Sequence, residues 1–124
     1  MKTPKNILLI ENNLEQALLF KELLSLSAKE QCQFIHKDTL SLGLEHLKTN
    51  TPDAILLDLN LPDSKGLETL DKVCALTSSI PVVVLSDSAD KGIALEAVKR
   101  GAQDYLLKEI ISGPILSRVL CNAI

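Results

Sequence analysis

The 124-residue sequence has very few aromatic residues, with two Phe, one Tyr and no Trp. A chain this poor in aromatic side chains offers no platform on which nucleic-acid bases could stack. It also has no excess of basic residues: 13 Lys and Arg stand against 16 Asp and Glu, and the formal net charge is −3. Because binding to a phosphate backbone needs a basic surface, we expect no direct binding of nucleic acid by this segment.

The sequence also lacks a cysteine framework and a long hydrophobic run. Cys32, Cys74 and Cys121 are odd in number and far apart, so we expect reduced thiols of a cytoplasmic protein. Neither they nor His36 and His46 have metal-ligand spacing, and we expect both histidines at the surface or a sheet edge. No run of 18 apolar residues exists, and the first residues, MKTPKN, do not resemble a signal peptide. We therefore expect no membrane partner.

What the sequence does contain is a regular alternation of two patterns. Short apolar runs predict strands, and apolar residues three or four positions apart predict helices. The predicted strands cover residues 5–10, 31–36, 54–57, 80–85 and 104–107, and the predicted helices begin at Leu14, Leu40, Gly66, Asp90 and Ile115. This alternation predicts an α/β fold, with a parallel sheet covered by helices on both faces.

Residues that favour helix ends stand at several of these boundaries. Asn13 is expected to cap the first helix, and either Asp38 or Thr39 the second. Gly101 is expected to end the fourth helix. We expect residues 1–124 to form one domain. Its last helix has no stop signal, which favours the N-terminal part of a longer chain.

Polar residues of particular kinds follow the predicted strands. Glu11 and Asn12 follow the first strand and Asp58 the third, while Ser86 and Lys108 follow the fourth and fifth. In open α/β sheets, ligands bind in the crevice outside the carboxyl ends of the strands. We therefore expect two acids, a hydroxyl group and an ammonium group to converge at one edge of the sheet.

This set of side chains suits phosphoryl chemistry. Two carboxylates about 4 Å apart repel by roughly 4 kcal/mol at an effective dielectric constant near 20, so they need a proton, Lys108 or a divalent cation beside them. Hard oxygen ligands with room for water suit Mg²⁺. A carboxylate beside Mg²⁺, with a lysine and a hydroxyl group nearby, is equipped to accept a phosphoryl group.

Four segments carry a resemblance to a known family: ILLIENN, PDAILLDLNLPDSKGLE, IPVVVLS and GAQDYLLK. Together they resemble the receiver domain of two-component response regulators over essentially the whole chain. The resemblance implies a doubly wound, flavodoxin-like sheet of five parallel strands in the order 2-1-3-4-5. It also implies a cytoplasmic signalling domain and no conventional enzyme, because the acceptance and loss of phosphate are self-catalysed.

The resemblance assigns roles at the acidic end of the site. Asp58 would be the phosphoacceptor. Mg²⁺ would be held by Glu11, Asn12, Asp58 and the backbone carbonyl group of Asn60. The phosphate would come from a histidine kinase or a phosphotransfer protein.

The resemblance also assigns the residues that respond to phosphate. Ser86 would bind a phosphoryl oxygen, Lys108 would pair with the phosphate, and Tyr105 would change rotamer on activation. The output face would be the fourth helix, the fifth strand and the fifth helix. An output domain or a partner protein would bind to this face, and a second copy of the chain could bind there to form a homodimer.

The sequence departs from the family pattern at three positions. Asn12 stands where the family usually has a second acid, which predicts weak Mg²⁺ binding and slow phosphorylation. Asp87 follows Ser86, where a small residue is common; it could replace the missing charge, repel phosphate or cap the fourth helix. Glu109 follows Lys108, where the family often has a cis proline.

Three other functions compete with a phosphoacceptor domain. Asn12 and Asp87 favour a receiver fold that binds a partner independently of phosphorylation, whereas Asp58, Ser86 and Lys108 together oppose it. A flavin-binding electron carrier would need a phosphate-binding loop after the first strand, where this chain has ENNLEQA. A phosphatase with an aspartate nucleophile would need an acid two residues after it, and position 60 is Asn.

Overall fold

The computed structural model describes residues 5–27, 32–77, 79–87 and 91–123. Within them the strands are β1 (Lys5–Ile10), β2 (Cys32–Lys37), β3 (Ala54–Asp58), β4 (Asn60–Leu61), β5 (Ser64–Lys65), β6 (Val82–Ser86) and β7 (Asp104–Leu107). The α-helices are α1 (Leu14–Ser27), α2 (Leu40–Thr49), α3 (Leu67–Leu76), α4 (Lys91–Lys99) and α5 (Gly113–Ala123). A short 3₁₀ helix covers Lys108–Ile110.

Five of the strands form one parallel sheet in the order β2-β1-β3-β6-β7. Counted along the chain, these five strands have the order 2-1-3-4-5, so the predicted flavodoxin-like topology is confirmed. β3 and β6 are buried over their whole length, as expected of central strands covered on both faces. The strand order reverses at β1 and β3, which marks the crevice outside their carboxyl ends as the ligand site of such a sheet.

Helices cover both faces of the sheet and build two hydrophobic layers, as predicted. Side chains alternate between the faces along a strand, so Ile7 and Leu9 of β1 belong to one layer, and Leu8 and Ile10 to the other. The first layer is completed by α1 and α5, which contact each other. The second is completed by α2, α3 and α4. No helix within the described ranges is long and apolar enough to cross a membrane.

The helix ends use most of the predicted caps. The side chain of Asn13 accepts a hydrogen bond from the first turn of α1 at 3.1 Å. Thr39, and not Asp38, is the N-cap of α2, with a side-chain hydrogen bond of 3.2 Å. Gly101 follows α4 with φ +117°, a conformation that favours glycine. The predicted start of α4 at Asp90 lies outside the described residues.

The start of α5 differs from the prediction. The helix begins at Gly113, two residues before Ile115. Ser112 makes this possible, because its hydroxyl oxygen accepts a hydrogen bond from the Ile115 backbone N–H at 3.3 Å. Pro114 suits the first turn of a helix, where its missing N–H leaves no donor unpaired.

α3 begins at Leu67, one residue after the predicted start at Gly66, which is its N-cap. The other differences concern strands. β6 begins at Val82 and not at residue 80, because Pro81 has no N–H group to donate to the ladder. β2 ends at Lys37, one residue beyond the prediction, and residue 31 lies outside the described residues. The β4–β5 hairpin, in the loop after Asp58, was not predicted.

The hairpin loop is tied to its surroundings at both ends. At its base, the backbone N–H of Gly66 donates a hydrogen bond to the carbonyl oxygen of Leu59 at 2.8 Å. At its tip, the carboxylate of Asp63 accepts hydrogen bonds from the backbone N–H groups of Leu40 and Ser41, both at 2.8 Å. Burial acts to raise the pKa of Asp63, but these two hydrogen bonds outweigh it and hold the pKa below its ordinary value. The loop after Asp58 is thus anchored to the N-terminus of α2.

We expect Asp63→Ala to lower the free energy of unfolding by about 1 kcal/mol, because two N-terminal amides of α2 lose their acceptor. Urea unfolding at neutral pH measures the difference. Because folding lowers the pKa of Asp63, the difference should shrink as the pH falls below the ordinary carboxyl range. Asp38→Ala removes another exposed acid near α2 and should change stability by less than about 0.5 kcal/mol. Equal effects of the two substitutions would contradict the anchoring role of Asp63.

Candidate functional site

The carboxyl ends of four neighbouring strands meet at one edge of the sheet. Glu11 directly follows β1, Asp58 is the last residue of β3, Ser86 is the last residue of β6, and Lys108 directly follows β7. The four strands are consecutive in the sheet. The structure therefore brings these predicted residues to the same crevice.

Three of these side chains form a buried ion cluster. The Nζ atom of Lys108 lies 2.9 Å from the Glu11 carboxylate and 3.0 Å from Oδ2 of Asp58. The exposed fractions of the Lys108, Glu11 and Asp58 side chains are only 6%, 1% and 5%. The fold thus brings Lys108 into contact with Glu11, which lies 97 residues earlier in the sequence.

The cluster holds more negative than positive charge when both acids are ionised. Burial is the main cause that raises the pKa of Glu11, to about 7, and the neighbouring Asp58 raises it further. Lys108 acts in the opposite direction but does not compensate. Burial acts to lower the pKa of Lys108, yet the two carboxylates outweigh it and the pKa is raised. Additional positive charge near Glu11 would therefore be favourable.

The oxygen atoms of this cluster fit a divalent cation such as Mg²⁺. Oε2 of Glu11 is buried and lies 2.9 Å from Lys108 Nζ, so a cation at this oxygen would share it with the ammonium group. In the part of the chain that the structure describes, no three His, Cys, Asp or Glu side chains are placed to share a metal. A cation would therefore need neutral oxygen donors, for which the exposed residues Asn12 and Asn60 stand beside the acids. Two carboxylates, neutral oxygen atoms and water are ligands that Mg²⁺ accepts.

The other predicted residues surround this cluster at different depths. Ser86 is buried at the end of β6 and pairs with Leu107, the residue before the 3₁₀ helix. Tyr105 is half-buried in β7 and packs against the layer formed by α2, α3 and α4. Asp87 is exposed. The described residues include no cis peptide bond, and Lys108 reaches both acids with a trans bond to Glu109.

Sequence reasoning missed a contact between His36 and the acidic end of the site. The Nε2 atom of His36, in the edge strand β2, lies 2.6 Å from the backbone carbonyl oxygen of Glu11. The backbone N–H of Glu11 donates a hydrogen bond to the carbonyl oxygen of Lys37 at 3.0 Å. His36 is half-buried at the sheet edge, as expected, but no sequence spacing links it to a residue 25 positions away.

A family model described as the response regulator receiver domain matches residues 7–120. The chain therefore belongs to the receiver domain family of response regulators, as the resemblance implied, and is a domain of two-component signalling. Receiver domains are signalling modules and not conventional enzymes.

Individual relatives agree with this assignment. The KDP operon transcriptional regulatory protein KdpE of Escherichia coli (strain K12) is 33% identical over 114 residues, which cover 92% of this chain and 49% of KdpE. The phosphorylated cyanobacterial phytochrome response regulator RcpA has a TM-score of 0.77 and 26% identity, over 98% of this chain and 89% of RcpA. The Mn²⁺-bound form of the response regulator Rcp1 has a TM-score of 0.76 and 27% identity, over 95% of this chain and 91% of Rcp1. The chain spans about half the length of the curated relative KdpE and a smaller share of the curated relatives NarL and LuxO.

We expect Lys108→Met to destabilise the metal-free protein, because two buried carboxylates lose their shared counter-ion. Breaking a buried pair usually costs about 3–5 kcal/mol. Glu11, whose pKa is already about 7, can instead take up a proton, so we expect a loss of only about 2 kcal/mol. The loss should be larger at pH 8 than at pH 6, where Glu11 is mostly protonated.

Urea unfolding in EDTA at the two pH values measures this effect. Lys48→Met is the matched control, because Lys48 forms an exposed ion pair with Glu45 that should contribute less than about 1 kcal/mol. A Lys108→Met protein as stable as the Lys48→Met protein at both pH values would show that the cluster is not held by its ammonium group.

Proposed function

We propose that this chain is a phosphoacceptor receiver domain in which Asp58 accepts a phosphoryl group from a histidine kinase or a phosphotransfer protein. The observation that carries the proposal is the buried cluster in which Lys108 Nζ lies within 3.0 Å of both Glu11 and Asp58. The cluster lies at the carboxyl ends of the strands, which is where open α/β sheets bind their ligands. The relative RcpA, described as phosphorylated, supports the same chemistry.

In the proposed reaction, a carboxylate oxygen of Asp58 attacks the phosphorus atom of a phosphohistidine. The phosphorus–nitrogen bond breaks, its electron pair remains on the imidazole of the donor, and an acyl phosphate forms on Asp58. Lys108 pairs with the transferred group, and the Ser86 hydroxyl group donates a hydrogen bond to one of its oxygen atoms. Positioning and charge neutralisation account for most of the catalysis in such transfers, so the reaction is self-catalysed by the domain.

The oxygen donors of the site would hold Mg²⁺ through Glu11, Asp58, Asn12 and the backbone carbonyl group of Asn60. When bound, the ion would supply positive charge to the phosphoryl oxygens. The two buried carboxylates of Glu11 and Asp58, which share a single ammonium group, support this role. The relative Rcp1 was solved with Mn²⁺ bound, which supports a divalent cation in this family.

The conformational change caused by phosphorylation would be transmitted from the site through β7. Ser86 and Lys108 flank the phosphoryl group, and Tyr105 lies two residues before the end of β7. In the proposed switch, Ser86 moves towards the phosphate and Tyr105 changes rotamer, which alters the face formed by α4, β7 and α5. Leu95 and Val98 of α4 are apolar and exposed on that helix. An output domain, a partner protein in the cytoplasm or a second copy of the chain would read this face.

Incubation with acetyl phosphate followed by measurement of the intact mass tests the proposal. We expect the mass of one added phosphoryl group in the presence of Mg²⁺, none in EDTA, and none on Asp58→Ala. Asp38→Ala is the matched control and should be modified like the wild type, because Asp38 is an exposed acid beside α2. Modification of Asp58→Ala, or none of the wild type, would contradict the phosphoacceptor role. The second result would instead point to a domain that binds its partner without phosphorylation.

We expect Asn12→Asp to tighten Mg²⁺ binding by about 10-fold or more, because a ligand group gains a negative charge. Phosphorylation of this variant at sub-saturating Mg²⁺ should be faster by a similar factor. Asn13→Asp is the control for net charge: it adds the same charge one residue later, where the side chain caps α1. Titration with Mg²⁺ measures both. Equal Mg²⁺ affinities of the wild type and Asn12→Asp would exclude residue 12 as a ligand.

A further inference from the structure

The contact between His36 and Glu11 has a defined direction. The Nε2 atom of His36 lies 2.6 Å from the backbone carbonyl oxygen of Glu11. A carbonyl oxygen can only accept a hydrogen bond, so Nε2 must carry the proton and donate it. The imidazole ring of β2 is thereby bonded to the first residue after β1.

This hydrogen bond completes a backbone clamp on Glu11. The N–H group of Glu11 donates to the carbonyl oxygen of Lys37, at 3.0 Å, on the same strand β2. Both backbone groups of Glu11 are therefore bonded to the carboxyl end of β2. One bond comes from the backbone ladder, which any sequence could supply, and the other requires a side-chain donor at position 36.

The clamp fixes the peptide group that joins the two residues after β1. A peptide group is planar, so holding the carbonyl oxygen of Glu11 also sets the direction in which the chain continues to Asn12. Asn12 is exposed and neutral, so charge attraction alone would not draw its amide towards a cation. Its contribution to the site depends on where the backbone places it.

We propose that His36 is a positioning residue for the cation site, because its Nε2–H group orients the peptide between Glu11 and Asn12. The role of the cation itself rests on the function proposed above. His36 does not touch the cation in this proposal and acts through Glu11 and Asn12. Partners in the outer shell of a metal site typically contribute about 10–100-fold in metal affinity, and the proposal places His36 among them.

Substitutions at position 36 test this role through Mg²⁺ affinity, measured without phosphate. We expect His36→Ala to weaken Mg²⁺ binding by about 10-fold. His36→Gln should bind Mg²⁺ much like the wild type, because the glutamine amide offers an N–H donor at a position close to that of Nε2. His46→Ala is the matched control, since His46 lies in α2 beside Asn50, and it should leave Mg²⁺ affinity unchanged.

Two further measurements separate positioning from a purely structural role. Urea unfolding in EDTA reports stability, and a structural role would lower stability in His36→Ala without changing the Mg²⁺ dissociation constant of the folded protein. In the wild type, the ¹⁵N spectrum of the imidazole should show a protonated Nε2. A ring with a proton on Nδ1 and none on Nε2 would overturn the proposal, even if both variants failed to fold.

The remaining outcomes are also decisive. Equal Mg²⁺ affinities of the wild type and His36→Ala, or equally weak binding by His36→Ala and His36→Gln, would overturn the role of His36. A wild-type chain that binds no Mg²⁺ would overturn it as well. If Mg²⁺ binding depends on the His36 donor but Asp58 is never phosphorylated, only the proposed function is contradicted.

Discussion

Two carboxylates are buried beside a single ammonium group at the carboxyl ends of the central strands. Lys108 contacts both Glu11 and Asp58, and all three side chains are almost fully buried. Such clusters are costly to desolvate and often contribute little net stability. Their presence is therefore better explained by chemistry than by folding. The raised pKa of Glu11 expresses this cost, because burial first and the neighbouring Asp58 second favour the protonated carboxyl group.

Two of the four strands that end at the site offset this cost through deep apolar burial, whereas β7 is only half-buried. β3 and β6 are buried throughout, and apolar layers pack on both of their faces. The loops are less protected by packing and are tied down by hydrogen bonds instead. Asp63 binds the loop after Asp58 to α2, and His36 binds the turn after β1 to β2. Precision at the site thus comes from rigid strands and from a few long-range polar contacts.

The sequence pattern was enough to predict a parallel α/β sheet and the convergence of the site residues, whereas the strand order was implied only by the resemblance to receiver domains. Apolar runs marked the strands, and the residues after Ile10 and Leu57 stood at the carboxyl ends that a parallel sheet brings together. His36 was missed because its partner lies 25 residues away, on a backbone carbonyl group that no sequence pattern reveals. The anchoring by Asp63 was missed for the same reason, since its partners are backbone amides of another helix.

Asn12 changes the net charge of the proposed site both before and after phosphorylation. When ionised, Glu11 and Asp58 carry two negative charges and Lys108 one positive charge, so the cluster is left with one negative charge. A second acid at position 12 would double this excess and attract a divalent cation more strongly. After phosphorylation, however, a phosphoryl dianion replaces the Asp58 charge. Glu11, the dianion, Lys108 and a divalent cation then sum to neutrality, whereas an acid at position 12 would leave one negative charge opposing the dianion. In the proposed site, the neutral side chain would therefore weaken cation binding before transfer and lessen repulsion after it.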